Sequence, residues 1–309
     1  MKALILICWS LLVILTVCNL FDDLWWVLDL LASFSMQIAI LLIVCSAILS
    51  FYKKYILTVF GIIIGLLLLH SVIYKYHYST EIDIPSNRPL KIVSINLLSS
   101  NHNHELAKNY INQSDPDLIV LMEYTPIWDQ SLSKAFIEEY PHQIKQVRNH
   151  NFGIALWSKH AISSHQILDF TDRDFPMIEA EIEMGEESLT VTSIHLENPV
   201  GRDNMALRHH QVDQLINRYR DRDNLVLIGD YNMTPYSSDY TRLRDHLELK
   251  ETRCSISPTF PSYFMPLRIP IDHCLVSQSI SHSCVELGPN IGSDHFPIEI
   301  VLSLHSEHK

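Results

Sequence analysis

The chain has 309 residues, 47% of them hydrophobic and 19% charged, with a formal net charge of −12 at pH 7. That length suits one large or two ordinary domains. The acidic balance excludes attachment to nucleic acid or anionic lipid by net charge alone, and leaves such partners to a bound divalent cation or a local arginine cluster at a cleft.

Charge is unevenly spread. Up to Tyr78 it consists of Lys2, Asp22, Asp23, Asp29, Lys53, Lys54 and Lys75. Between these marks lie three apolar runs, Ala3–Leu20, Leu31–Tyr52 and Tyr55–Tyr74, each near the ~20 residues that cross a bilayer as helix. Residues 1–78 therefore read as a transmembrane anchor of about three helices. A cleaved signal peptide is the alternative for the first run, which lacks a clear n-region and a small-x-small cleavage site. Lys2 and the Lys53-Lys54 pair belong in the cytoplasm by the positive-inside rule, and the acidic loop with Trp25 and Trp26 belongs outside. The expected location is thus the inner (cytoplasmic) membrane, multi-pass, with everything after the third span on the outer side; Lys75 is a cation on the wrong flank. Gly61 and Gly65 in the third span are either a helix-packing face or glycines merely tolerated there. No Asp, Glu, Lys or Arg lies within a span, so a transporter is not supported.

Without the three acids and four lysines before Ser79, the chain's 35 acidic and 23 basic side chains fall to 32 and 19. Residues 79–89 contain two prolines and no periodicity, which suits a linker, and 90–309 is long enough for one domain. Cys254, Cys274 and Cys284 allow at most one internal disulfide, and their default is buried thiols.

In this half, apolar runs alternate with amphipathic stretches. Strands are expected at 90–97, 118–123, 153–158, 177–184, 188–195, 225–228, 271–276 and 298–304, and helices at 104–113, 127–140, 202–220 and 238–246. A proline-rich loop covers 257–270. This pattern predicts an α+β domain of two sheets packed face to face with helices outside. The organising stretch is Leu225-Val226-Leu227-Ile228-Gly229-Asp230-Tyr231-Asn232, a buried strand that delivers an acid and an amide two residues apart, hence on one face if the chain stays extended. Other strand ends or adjoining loops present Asn96, Glu123, His195, Asp272, and Asp294 with His295.

The motifs Ser94-Ile95-Asn96, Leu121-Met122-Glu123, Ser193-Ile194-His195-Leu196, Gly229-Asp230-Tyr231-Asn232, Ile271-Asp272-His273 and Ser293-Asp294-His295 make residues 90–304 resemble the endonuclease/exonuclease/phosphatase (DNase I-like) superfamily. The resemblance implies a four-layer α/β/β/α sandwich and a hydrolase of phosphoester bonds, in which water attacks phosphorus in line. It implies Mg²⁺, with Mn²⁺ as a substitute, held by Glu123 with Asn96 and Asp294. That donor set suits a hard cation that keeps several waters. Among the catalytic residues, Asp272 would fix the tautomer of His295 and raise its basicity, the pair activating water or stabilising the charge on phosphorus, and Asp230 with Asn232 would position the nucleophile and phosphate oxygens. A protonated His195 would donate to the phosphoryl oxygen, making His195 and Asn232 the substrate-binding pair. Members acting at abasic sites tend to have tyrosine in place of His195, so the histidine leans towards DNase-like or phosphatase-like chemistry. The expected substrate is a nucleic acid, a phospholipid or a small phosphate ester, and the alternative is a silent membrane-tethered scaffold that keeps only the fold. His273 is expected in packing or on the surface, Arg208 on a solvated helix face with reach to a phosphate as the alternative, and Tyr124 and Thr234 at most behind the site.

Overall fold

Nearly every strand of the soluble half that carries a site residue is apolar on both faces, so each must be sandwiched between another sheet and a helix layer. A computed structural model of the chain describes residues 1–75 and 89–304, and it meets that demand with two sheets. The elements in order are α1 (Lys2–Cys18), α2 (Trp26–Ala32), α3 (Ser35–Phe51), α4 (Tyr55–Tyr74), β1 (Leu90–Asn96), α5 (His104–Ser114), β2 (Leu118–Met122), α6 (Pro126–Phe136), β3 (His142–Gln146), β4 (Ile154–Ser158) and β5 (Ile162–Leu168). They continue with β6 (Met177–Met184), β7 (Glu187–His195), α7 (Arg202–Tyr219), β8 (Leu225–Asp230), α8 (Ser238–His246), β9 (Lys250–Glu251), β10 (Asp272–Val276), β11 (Ile280–His282), β12 (Glu286–Leu287) and β13 (Ile298–Leu304). One sheet runs β11-β13-β1-β2-β4-β3 with β12 on β13, and the other runs β5-β6-β7-β8-β10-β9. The pairs β1/β2 and β7/β8 are parallel, and the remaining pairs are antiparallel.

The two-residue period of a strand divides the core. Ile92, Val120, Ile178, Val191, Val226, Ile228 and Cys274 meet between the sheets. Their odd-numbered or even-numbered neighbours turn outward, Val93, Ile95 and Ile119 against α5 and α6, and Leu225, Leu227 and Leu275 against α7 and α8. The result is the expected four-layer sandwich. Strands β3, β5, β9, β11 and β12 were not anticipated. β5 is largely exposed and polar, as an edge strand is, and β9 and β12 are only two residues long, so none of these three carries a hydrophobic signal. The expected helix over 127–140 ends at Phe136. The expected linker, 79–89, lies outside the described residues except for Pro89.

In the N-terminal part, Lys2–Phe21 and Tyr55–Tyr74 are each long and apolar enough to cross a membrane, and α2 with α3 forms a third candidate bent by 68°. The second expected run, Leu31–Tyr52, is interrupted at Ser33-Phe34, and α2 before the break carries Asp29 into contact with Arg208 of α7. Of the two readings of Gly61 and Gly65, packing is the one the structure contains. A Cβ on Gly61 would lie 2.1 Å from Ser46 Oγ, and one on Gly65 would lie 3.1 Å from the Ala39 carbonyl. Trp9 Nε1 donates to Ser46 Oγ at 2.9 Å beside Gly61, joining α1 to α3.

Candidate active site

The polar side chains of the site continue the inward-facing rows of the inter-sheet core. Along β8 the inward residues are Val226, Ile228 and then Asp230; along β10, read backwards, they are Val276, Cys274 and then Asp272; along β7 they are Val191, Ser193 and then His195. Register does the rest. Asp230 is the partner of His195 in the parallel ladder and of Asp272 in the antiparallel one, so the three lie side by side at one rim. Gly229 makes this possible: its φ is +143°, and a Cβ there would lie 2.0 Å from the Ile194 carbonyl oxygen.

From the opposite sheet, Asn96 ends β1 and donates Nδ2 to Asp230 Oδ2 at 3.2 Å. Its Oδ1 accepts the Leu98 N–H at 3.1 Å. Glu123 follows β2 in the left-handed region, φ +56°, a conformation an acid adopts at a cost and one that sites retain. Its Oε2 accepts the Ser99 N–H at 2.7 Å. The loop before β13 brings His295, whose Nδ1 lies 2.8 Å from Asp272 Oδ2 and whose Nε2 lies 3.7 Å from Asp230 Oδ2. Ser293 pins that loop, since its Oγ donates to the Asn96 carbonyl at 2.7 Å and accepts the His295 N–H at 3.1 Å.

Burial makes the electrostatics strong. Burial works against a charge on His295, but the carboxylates of Asp272 and Asp230 outweigh it and raise the imidazole to about 10. Burial pushes Asp230 up to about 7, against the pull of His295. Burial, reinforced by the charge on His295, depresses His195 to about 3. His195 is therefore neutral at physiological pH, contrary to the protonated donor expected from the sequence; a neutral imidazole still offers one N–H. Its Nε2 lies 3.7 Å from Asp230 Oδ2. Burial raises Glu123, and nearby Asp294 adds to the rise although the Ser99 N–H opposes it.

All eight residues singled out from the sequence are at this rim, but not all as expected. Asn232 does not continue the strand. Its φ is +49°, its N–H returns to Asp230 Oδ1 at 2.8 Å, and its Nδ2 donates to the Leu196 carbonyl at 2.8 Å. It thus closes an Asx turn around Asp230 rather than sharing a strand face with it. Arg208 is not on a solvated helix face. It is fully buried, donating Nε to Asp239 at 3.3 Å and Nη1 to the Asn232 carbonyl at 3.1 Å, with Asp29 of α2 beside Nη2 at 2.9 Å. Three aromatic walls were missed. Phe152 stacks on His195 with ring centroids 4.7 Å apart and is backed by Phe175 at 3.6 Å, while Phe260 packs against His295 at 4.8 Å. No periodicity distinguishes these loop aromatics from core ones.

Two groups of donors are suited to a cation. Asp230, Asp272 and His295 are close enough together to hold a metal ion. The carboxylates of Asp272 and Asp230 favour the protonated form of His295, so a metal bound there would have to displace that proton. The second group is Glu123 with Asp294 and Asn96. Oδ1 of Asp294 is buried without a hydrogen-bond partner, and an orphaned acceptor beside a second buried carboxylate fits a hard cation that prefers oxygen.

Residues 93–295 match the sequence profile of the Endonuclease/Exonuclease/phosphatase family. Solved structures with the same fold include TDP2 from C. elegans (14% identity, TM-score 0.58, covering 72% of this chain and 76% of that one). An endonuclease/exonuclease/phosphatase from Beutenbergia cavernae matches at 16% identity and a TM-score of 0.59, covering 71% of this chain and 72% of that one. Sphingomyelinase C from Streptomyces griseocarneus matches at 16% identity and a TM-score of 0.53, over 70% of this chain and 99% of that one. No curated protein matches the chain by sequence.

Proposed function

The chain belongs to the endonuclease/exonuclease/phosphatase family, and from that premise we propose that it is a membrane-anchored, divalent-metal-dependent phosphoesterase that hydrolyses a P–O bond by in-line attack of water. The observation that carries the reading is the side-by-side placement of His195, Asp230 and Asp272, closed by the 2.8 Å contact of His295 with Asp272.

Asp230 is the proton acceptor for the attacking water. Its carboxylate is oriented by the Asn232 N–H and the Asn96 amide, and it sits in a site too buried for bulk water to compete. His295, held by Asp272 in one orientation, places positive charge where negative charge develops on the phosphoryl oxygens. His195, neutral and fixed by Phe152, donates an N–H to the same group. Asn232 shapes the turn that aims Asp230. Glu123, Asn96 and Asp294 are the residues that would hold Mg²⁺, with Mn²⁺ as a substitute, and the ion when bound supplies Lewis-acid polarisation of the phosphoryl group.

Purified full-length chain is expected to hydrolyse bis(p-nitrophenyl) phosphate with Mg²⁺ and to stop in EDTA. Glu123→Ala and His295→Ala are each expected to lose at least ~10³-fold in kcat/KM, the scale for a group acting on the transition state. Undiminished activity in both variants would end the assignment.

A further inference from the structure

The active-site wall runs directly into an exposed apolar loop. From Phe260, whose ring packs on His295, the chain passes through Ser262, which donates its N–H to the Asp294 carbonyl at 2.7 Å and its Oγ to the Ser293 carbonyl at 2.6 Å. The next residues, Tyr263, Phe264, Met265 and Leu267, stand in solvent, with Tyr263 and Met265 each 77% exposed. Four large apolar side chains in five residues are unusual on a surface that faces only water.

The same loop is tied to the membrane candidate helices. Gln37, in the first turn of α3, donates Nε2 to the Arg268 carbonyl at 3.0 Å. At 1.5 Å per residue, Gln37 lies only a few Å from the start of that apolar helix. Loop 263–268 is therefore level with the end of a span. Leu24 and Trp25 in the link between α1 and α2 are also exposed, and tryptophan favours the headgroup layer. Two more contacts hold the domain in this pose: Asp22 accepts the Ser238 N–H at 2.6 Å, and Lys75 Nζ donates to the Pro235 carbonyl at 2.9 Å. Pro235 follows Asn232 by three residues, so the anchor grips the domain at its catalytic rim rather than at the opposite end.

We propose that Tyr263, Phe264, Met265 and Leu267 are seated in the headgroup layer of the bilayer and that the substrate is a phosphodiester of a membrane lipid, entering the site from the side without leaving its leaflet. This rests on the phosphoesterase reading above. The oxygen of water bonds to phosphorus as the ester bond to the leaving alcohol breaks. One water proton passes to Asp230 and the departing oxygen takes up a proton, giving an alcohol and a phosphate monoester with no redox change.

The test uses the full chain in nanodiscs, with phosphatidylethanolamine, phosphatidylglycerol, phosphatidylcholine and sphingomyelin as separate lipid probes, and bis(p-nitrophenyl) phosphate and single-stranded DNA as soluble ones. The wild type is expected to cleave at least one lipid. The triple variant Tyr263→Ser, Phe264→Ser, Met265→Ser is expected to raise the apparent KM for that lipid about tenfold or more, since each buried apolar side chain contributes on this scale. Its rate on bis(p-nitrophenyl) phosphate is expected to stay within about twofold, which also shows that the variant folds. A wild type that cleaves the soluble diester or DNA but none of the four lipids overturns the lipid assignment and leaves the phosphoesterase reading standing, whereas a triple variant equal to the wild type on lipid overturns the seating of the loop in the headgroup layer. A wild type inactive on every probe with Mg²⁺ overturns both.

Discussion

His273 is adjacent to Asp272 in sequence and points to the opposite side of β10, as the strand period requires. It is fully buried behind the site, with Nε2 2.9 Å from the Met233 carbonyl and its ring 5.2 Å from that of Tyr231. Burial, and then the charge of Arg253, holds it well below the usual histidine range. In the unfolded chain it titrates near ~6.5. The unfolded state therefore binds the extra proton, so its linkage term is fully favourable above pH ~6.5 and is lost as pH falls below it, at up to ~1.4 kcal/mol per unit. From pH 8 to 5 His273 should therefore pull the melting temperature down, against the opposite linkage of His295, and His273→Gln should lose less stability on acidification than the wild type; an unchanged slope would mean that His273 is charged in the folded protein. The division between His273 and its neighbours was legible because alternation is a property of the strand alone. The protonation of His195 and the turn at Asn232 were not, because each is set by parts of the chain distant in sequence: burial and then the charge of His295 for the first, the Leu196 carbonyl for the second.

At the scale of elements, the end of β8 is supported from behind by an arginine that the helical pattern of α7 placed on a solvated face. Arg208 joins three pieces of chain, Asp29 from α2, Asp239 from α8 and the carbonyl of Asn232. A guanidinium with no exposure is costly unless paired, and removing one member of such a group strands the rest. Arg208→Ala is expected to cost about 3–5 kcal/mol, with a fall in kcat because the Asn232 turn loses its donor. Asp29→Ala should cost less, about 1–3 kcal/mol, since Asp239 still faces the cation. Thermal melts and kcat of both variants check this, and a loss in Arg208→Ala below ~1 kcal/mol would show that the cluster does not clamp the rim. The strands that form the site were visible as apolar runs closed by polar residues. β3 and β5 were not, since an edge strand needs no buried face and these are spelled His-Gln-Ile-Lys-Gln and Ile-Ser-Ser-His-Gln-Ile-Leu. The bend between α2 and α3 was hidden for another reason: it serves a contact with residues over 170 positions away in the chain.

For the whole molecule, the four layers followed from apolar strands that need cover on both faces, while the docking of the N-terminal helices near Asn232 had no local signature. Sidedness is the remaining large-scale property, and two independent features bear on it. Positive residues at Lys2 and Lys53-Lys54 favour a cytoplasmic location for the ends of the spans remote from the domain. Cys254 and Cys284 form a disulfide, while Cys274 stays a buried thiol in the core. A disulfide of this kind persists in an oxidising compartment, which is the outer side of a cytoplasmic membrane. With the N-terminal helices seated in a membrane as proposed, both features predict a domain on the outer side, and they fail separately. A reporter active only outside the cytoplasm, fused after Lys309, is expected to be active, and alkylation of unreduced chain from cells should spare Cys254 and Cys284. Closing a loop of 30 residues stabilises by about 3–4 kcal/mol in the chain-entropy account, so Cys254→Ser with Cys284→Ser should lower the melting temperature by the corresponding amount. An active cytoplasmic reporter together with two free thiols would place the catalytic rim against the inner leaflet instead, where the same loop would meet a different set of lipids.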